Sequence, residues 1–137
     1  MRHLLPLILV SCSCPLVQSS NGVEWETCPN AGCPSVVEVD RVEAEALSLI
    51  NLPQCLSGVS VVVVGSTAFK CGSDTCLGSV IDRRKITLGN FYAVGTSSYL
   101  HELMHVLLYC RDGNGDSKHE APEWEEVSRW YWEEYKQ

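Results

Sequence analysis

The chain has no long apolar run, no basic tract and no internal repeat. Apolar residues make up 45% of its 137 positions and are spread evenly. No stretch approaches the roughly 20 consecutive apolar residues of a membrane-spanning helix, which excludes a membrane bundle. Positive charge is scarce: ten Lys and Arg stand against 17 Asp and Glu, for a net charge of −7. No basic run is interleaved with aromatics, so a nucleic-acid partner is not expected. The excess acidity gathers in the last third, where it reads as a solvated helix face. The length suits one domain with a modest core. Histidine is sparse as well, with four in the whole chain, and two of these stand four residues apart.

Those two belong to the run His101-Glu102-Leu103-Met104-His105. On a helix, residues four apart share a face, so both imidazoles can hold one ion and Glu102 can reach a water on it. Leu100, Leu103, Met104, Leu107 and Leu108 recur at helical spacing and predict a buried amphipathic helix. Thr96, Ser97 and Ser98 offer N-cap oxygens ahead of it, and Gly113 and Gly115 come after it, where it would stop. Two His and a Glu on an otherwise apolar helix would be costly to bury without a purpose.

This segment resembles the active-site helix of the zincin metallopeptidases. The resemblance implies zinc ligation by His101 and His105, with Glu102 as general base. It covers this helix and the residues C-terminal to it, and no part of the first half. The metzincin subgroup adds a Gly and a further His at positions that here are Leu108 and Arg111. The Asn-Glu-x-x-x-Asp setting of the glutamate-ligand subgroup is also missing. Such a site needs a third protein ligand and an open position. Besides His3, near the start, the one remaining histidine is His119, which comes after a Gly-rich loop able to fold back over the helix. His119 is the expected third ligand, with Asp116, Glu120, Glu123 and Glu126 as substitutes.

A second metal pattern overlaps the loop. Asp112, Asn114 and Asp116 alternate and Glu123 falls twelfth, as in a calcium-binding EF-hand loop. Ser117 holds the sixth position, where the sharp turn calls for Gly. The plainer reading is a polar turn between helices.

The start reads as a targeting segment over residues 1–19: a basic opening, then a short apolar run at 4–10. Leu9-Val10-Ser11-Cys12 resembles a lipobox, with cleavage before Cys12 and a lipid anchor there. Ordinary cleavage near Ser19 and a simple tail are the alternatives. Secretion, a periplasmic location and envelope anchoring all remain open, and residues 20–137 form the expected domain. Without Cys12 and Cys14, six cysteines remain: Cys28, Cys33, Cys55, Cys71, Cys76 and Cys110. An even set in a small exported domain reads as up to three disulfides, and six cysteines allow 15 pairings. Local bridges Cys28–Cys33 and Cys71–Cys76 would leave Cys55 to Cys110. Both local pairs have four intervening residues, which argues against a zinc ribbon.

Along the chain, residues 20–36 read as irregular. Asp40 with Glu43 suggests a helix cap, with Val42, Ala46, Leu49 and Ile50 then on one face and Pro53 at the end. Residues 59–64 form a β-branched run expected as a central strand covered on both faces. Residues 70–78 read as a loop, 79–82 and 85–88 as strands around Arg83-Arg84, and 90–94 as another extended piece. The last helix begins near Ala121-Pro122, with Trp124, Val127, Tyr131 and Tyr135 inward and Trp130 and Trp132 off that stripe. Tyr109 or Tyr131 would suit an oxyanion donor, and the spacing selects neither. The expected fold is α+β: a small, mostly antiparallel, disulfide-stapled sheet with helices on one face, similar to small zincin domains.

The expected function is that of an exported zinc metallopeptidase acting as a monomer on a peptide or protein. The alternative is a non-catalytic zinc- or calcium-binding lipoprotein or interaction domain.

Overall fold

The computed structural model describes residues 17–27, 34–89 and 91–135, with the backbone alone for 91–95 and 134–135. Most of the expected leader, including Cys12, and the Cys28–Cys33 pair lie outside the described residues.

Among the described residues the main sheet has five strands in the order β1 (Val17–Gln18), β2 (Glu24–Thr27), β3 (Ser60–Val63), β7 (Lys85–Leu88), β6 (Gly78–Ile81). A separate hairpin joins β4 (Phe69–Cys71) to β5 (Asp74–Cys76). Among the described residues the three α-helices are α1 (Val36–Leu49), α2 (Phe91–Asp112) and α3 (Glu123–Tyr135). The fold is therefore α+β, and the sheet is mixed rather than mostly antiparallel. The β2–β3 and β3–β7 pairs are parallel, while β1–β2 and β6–β7 are antiparallel. The difference originates at β2, a segment whose residue pattern reads as irregular. A strand there, continued through the α1 crossover, returns the chain to β3 in the same direction.

β3 is central, but only one of its faces is sealed. Val61 and Val63 are fully buried, whereas Ser60 and Val62 are half-buried. Val61 pairs with Ile86 and Val63 with Leu88, so four apolar side chains line one face of the sheet. They share a single core with Val39, Val42 and Ala46 of α1 and Leu100, Leu103 and Leu107 of α2.

Ser35, not Asp40, caps α1: its Oγ accepts from the Glu38 N–H at 3.2 Å. Asp40 lies inside the helix and accepts from the backbone N–H of Ser20 at 2.9 Å. Beside it, Glu43 is fully buried. It accepts from Ser19 Oγ at 2.6 Å, Asn21 Nδ2 at 3.2 Å and Tyr99 Oη at 3.0 Å. This carboxyl ties the β1–β2 turn to both α1 and α2. Val17–Ser19 are joined to the rest of the fold by the β1–β2 pairing and by the Ser19 hydrogen bonds to Glu43 and Val23.

Residues 91–94, expected as extended, open α2 instead. Aromatic and β-branched residues there favour a strand, and the helix context overrides that weak preference. The helix stops as expected. Gly113 takes a left-handed φ of 72° and donates its N–H to the Tyr109 carbonyl at 2.8 Å.

Cys55 and Cys110 are disulfide-bonded, with Cα atoms 6.1 Å apart, and so fasten the turn at Pro53–Cys55 to the end of α2. Cys71 and Cys76 are bonded across the β4–β5 hairpin, which occupies the segment expected as a loop. Trp124 and Val127 of α3 face inward as expected. Tyr131 is exposed, and Trp130 is instead packed against the core with the Arg41 guanidinium 5.3 Å above its ring. No helix among the described residues is long and apolar enough to cross a membrane.

Candidate metal centre and its clefts

α2 is anchored along its length by fully buried Leu100, Leu103, Met104, Leu107 and Leu108. This seam turns His101 and His105 toward the surface, where both are half-buried. Their Nε2 atoms stand 3.3 Å apart. His119 arrives from the loop between α2 and α3, and its Nε2 lies 3.2 Å from each of the other two. Three nitrogens held about 2.0–2.1 Å from one tetrahedral ion stand roughly 3.3–3.4 Å apart. The three histidines are thus close enough to hold one metal ion, and their spacing fits a tetrahedral set with an open position.

The loop that delivers His119 is wound around Asp116. The Asp116 carboxylate accepts from the N–H groups of Glu120 at 3.0 Å and Ala121 at 2.7 Å. It also accepts from the Trp124 indole N–H at 2.6 Å. Asp116 and His119 both take left-handed φ values, 56° and 57°, and the His119 N–H donates to the Asp116 carbonyl at 2.9 Å. Trp124 is buried beneath the cluster, its ring 4.8, 4.7 and 4.4 Å from those of His101, His105 and His119. The same loop also orients His105. The His105 Nδ1–H donates to the Gly115 carbonyl at 2.5 Å, which leaves Nε2 as the free lone pair.

Burial, and then the positive charge of His105 and His119, push His101 down to about 4. Burial also lowers His105, against the opposing pull of the Gly115 carbonyl. At neutral pH, His101 is an unprotonated imidazole, the form that binds metals. Glu102 is 6% exposed, and burial raises its carboxyl to about 7. Gly78 of β6 makes room for it: a Cβ at that position would come within 2.7 Å of Glu102 Oε1.

The four side chains of the calcium pattern, Asp112, Asn114, Asp116 and Glu123, do not converge on one point. Asp112 and Glu123 both pair with Arg111, while Asp116 is turned to backbone N–H groups and the Trp124 indole. Asn114 Oδ1 accepts from the Asp116 N–H at 2.9 Å. These side chains hold the loop together instead of converging on an ion. Among the described residues, His101, His105 and His119 are the one group of three or more potential metal-binding side chains brought together. The oxygen substitutes Asp116, Glu120, Glu123 and Glu126 are not part of it.

Two cavities of about 530 Å³ each meet at Gly78, His101 and Glu102. One has Asp82, Arg83, Asn114 and Ser117 in its walls. There the Arg83 guanidinium lies 4.2 Å from the centre of the Tyr109 ring. The other runs between α2 and α3 and is bordered by Leu77, Val127, Tyr131 and Trp132. Tyr109 and Tyr131 thus line opposite cavities.

Sequence reasoning missed the support given by Trp124, the Gly115 carbonyl and the Asp116 carboxylate, and the clearance supplied by Gly78. No local pattern in the sequence marks these contacts, because each joins segments that only the fold brings together. Compared with protein-family models, curated proteins and solved structures, the chain matches none.

Proposed function

We propose that the protein is an exported zinc metallopeptidase of the zincin kind, with His101, His105 and His119 as ligands and Glu102 as general base. The observation that carries this reading is the triangle of Nε2 atoms with 3.2–3.3 Å edges beside a buried carboxyl, at the junction of two clefts. Three protein ligands with an open side are the pattern of catalytic rather than structural zinc sites. Zinc held there supplies Lewis acidity toward a carbonyl oxygen and lowers the pKa of water.

The chain's own groups supply the rest. Glu102 takes a proton from water at a carboxylate oxygen as the water oxygen adds to the scissile carbonyl carbon. It then passes that proton to the leaving nitrogen as the C–N bond breaks. β6 is the terminal strand of the sheet, and Gly78 in it abuts Glu102. An extended peptide along that edge would pass directly before the carboxyl. The disulfides Cys55–Cys110 and Cys71–Cys76 agree with an oxidising compartment, which supports export.

The test is Glu102→Gln, assayed for metal content and peptide hydrolysis. Retained zinc with hydrolysis lost by a factor of about 10² or more is expected. Full hydrolysis in this variant defeats the assignment of Glu102, and a wild-type chain that binds no zinc defeats the reading as a whole.

A further inference from the structure

We infer that the cleft between α2 and α3 is a specificity pocket for an aromatic or large aliphatic side chain of the polypeptide substrate. Leu77, Tyr131 and Trp132 form its walls. The inference rests on the peptidase reading and adds a substrate class to it.

Among the described residues, six large hydrophobic side chains are markedly exposed: Val36, Val37, Leu77, Ile81, Tyr131 and Trp132. Three of the six line this one cavity, at 51%, 42% and 60% exposure for Leu77, Tyr131 and Trp132. Apolar surface gathered in one place, rather than scattered singly, marks a binding site. The same cavity contains His101, Glu102 and His119, so a side chain seated in it lies next to the reacting centre. Its volume of about 530 Å³ is that of an ordinary ligand site.

Charge distinguishes the two clefts. Glu102 is the one carboxyl group lining the α2–α3 cleft, and no Lys or Arg lines it. The cavity on the other side has Asp82 and Arg83 in its wall. A carboxylate seated there would lie near Glu102 with no Lys or Arg to pair with, which is costly.

The walls stand on rigid supports. Leu77 adjoins Cys76, which is bonded to Cys71, and its carbonyl accepts from the Gly89 N–H at 2.8 Å. Tyr131 and Trp132 pack edge to face, with ring centres 5.6 Å apart, on a helix anchored by buried Trp124 and Val127. Pockets held this way bind with little ordering cost.

The experiment titrates N-acetyl-phenylalaninamide and N-acetyl-glycinamide into the full chain, following the Trp132 indole N–H and the Leu77 methyls by NMR. These probes need neither metal nor turnover. The phenylalanine probe is expected to bind at least about tenfold tighter. Trp132→Ala and Leu77→Ser are each expected to remove that preference; both positions are exposed, which keeps the risk to folding small. In parallel, kcat/KM for matched peptides differing by one Phe or Gly beside the cleaved bond should show the same ratio, and the same collapse. Equal binding of the two probes, or a preference unchanged in both variants, overturns the pocket. A phenylalanine preference in a chain that cleaves no peptide overturns the peptidase reading alone.

Discussion

The Trp124 indole N–H donates to Asp116 Oδ2 at 2.6 Å, and this bond links the loop that presents His119 to the ring beneath all three imidazoles. Asp116 lies outside the histidine triangle, yet it sets both the path of the loop and the position of that ring. Outer partners of this kind commonly change metal affinity by about 10- to 100-fold. Asp116→Ala is expected to weaken zinc binding within that range while leaving α1 and the sheet folded. Competition against a chelator of known affinity, with circular dichroism as a control, measures it. Unchanged affinity would show that His119 is held by other means.

Gly78→Ala probes the clearance around Glu102. The new methyl would lie 2.7 Å from Oε1, so the carboxyl must move. A displacement on the order of 1 Å at a reacting group costs about a hundredfold in rate. Zinc content should remain, because none of the three histidines is touched. A hydrolysis rate within twofold of wild type would refute this account of Gly78.

The raised Glu102 carboxyl predicts a pH effect on stability in the metal-free protein. Its ordinary value is 4.5, and in the folded chain burial lifts it to about 7. Between those values the folded state binds more protons than the unfolded state. The contribution to stability therefore falls as pH rises from about 4.5 to 7, by about 3 kcal/mol over the full window. His101, lowered to about 4, acts in the opposite sense below its ordinary 6.5. The difference between wild type and Glu102→Gln isolates the first effect. Denaturant unfolding at pH 5 and pH 8 should show wild type losing ground to the variant at the higher pH. A constant difference would contradict the burial argument.

Reducing the Cys55–Cys110 bond, or replacing both residues by Ala, removes a link between positions 55 apart in sequence. Chain entropy alone puts the loss at about 4 kcal/mol. Because this bond ends at the last turn of α2, a lower melting temperature and weaker zinc retention should appear together. The Cys71–Cys76 bond closes only a short hairpin, and its loss should cost less stability.

Spacing alone carried the local features. Residues four apart on a helix share a face, so His101 and His105 were bound to lie together once α2 formed, and the leucines at helical intervals ensured that it formed buried. The β-branched run at 59–64 was legible as a strand for the same local reason, and the Cys55–Cys110 link was one of the pairings that count and loop length left open. The mixed direction of the sheet, the burial of Glu43 against Ser19 and Tyr99, and the use of Asp116 as a clamp were not legible. Each depends on which distant segments meet, and a carboxylate in a sequence carries no mark of whether it will face an ion, an arginine or a row of backbone N–H groups. His119 stood between the two: its residue type nominated it, but only the left-handed turn closed by Asp116 brought its Nε2 within 3.2 Å of the other two. The residue types were written in the chain. Their convergence came from packing, because contacts across 18 and 14 residues depend on how the intervening loop is tied down.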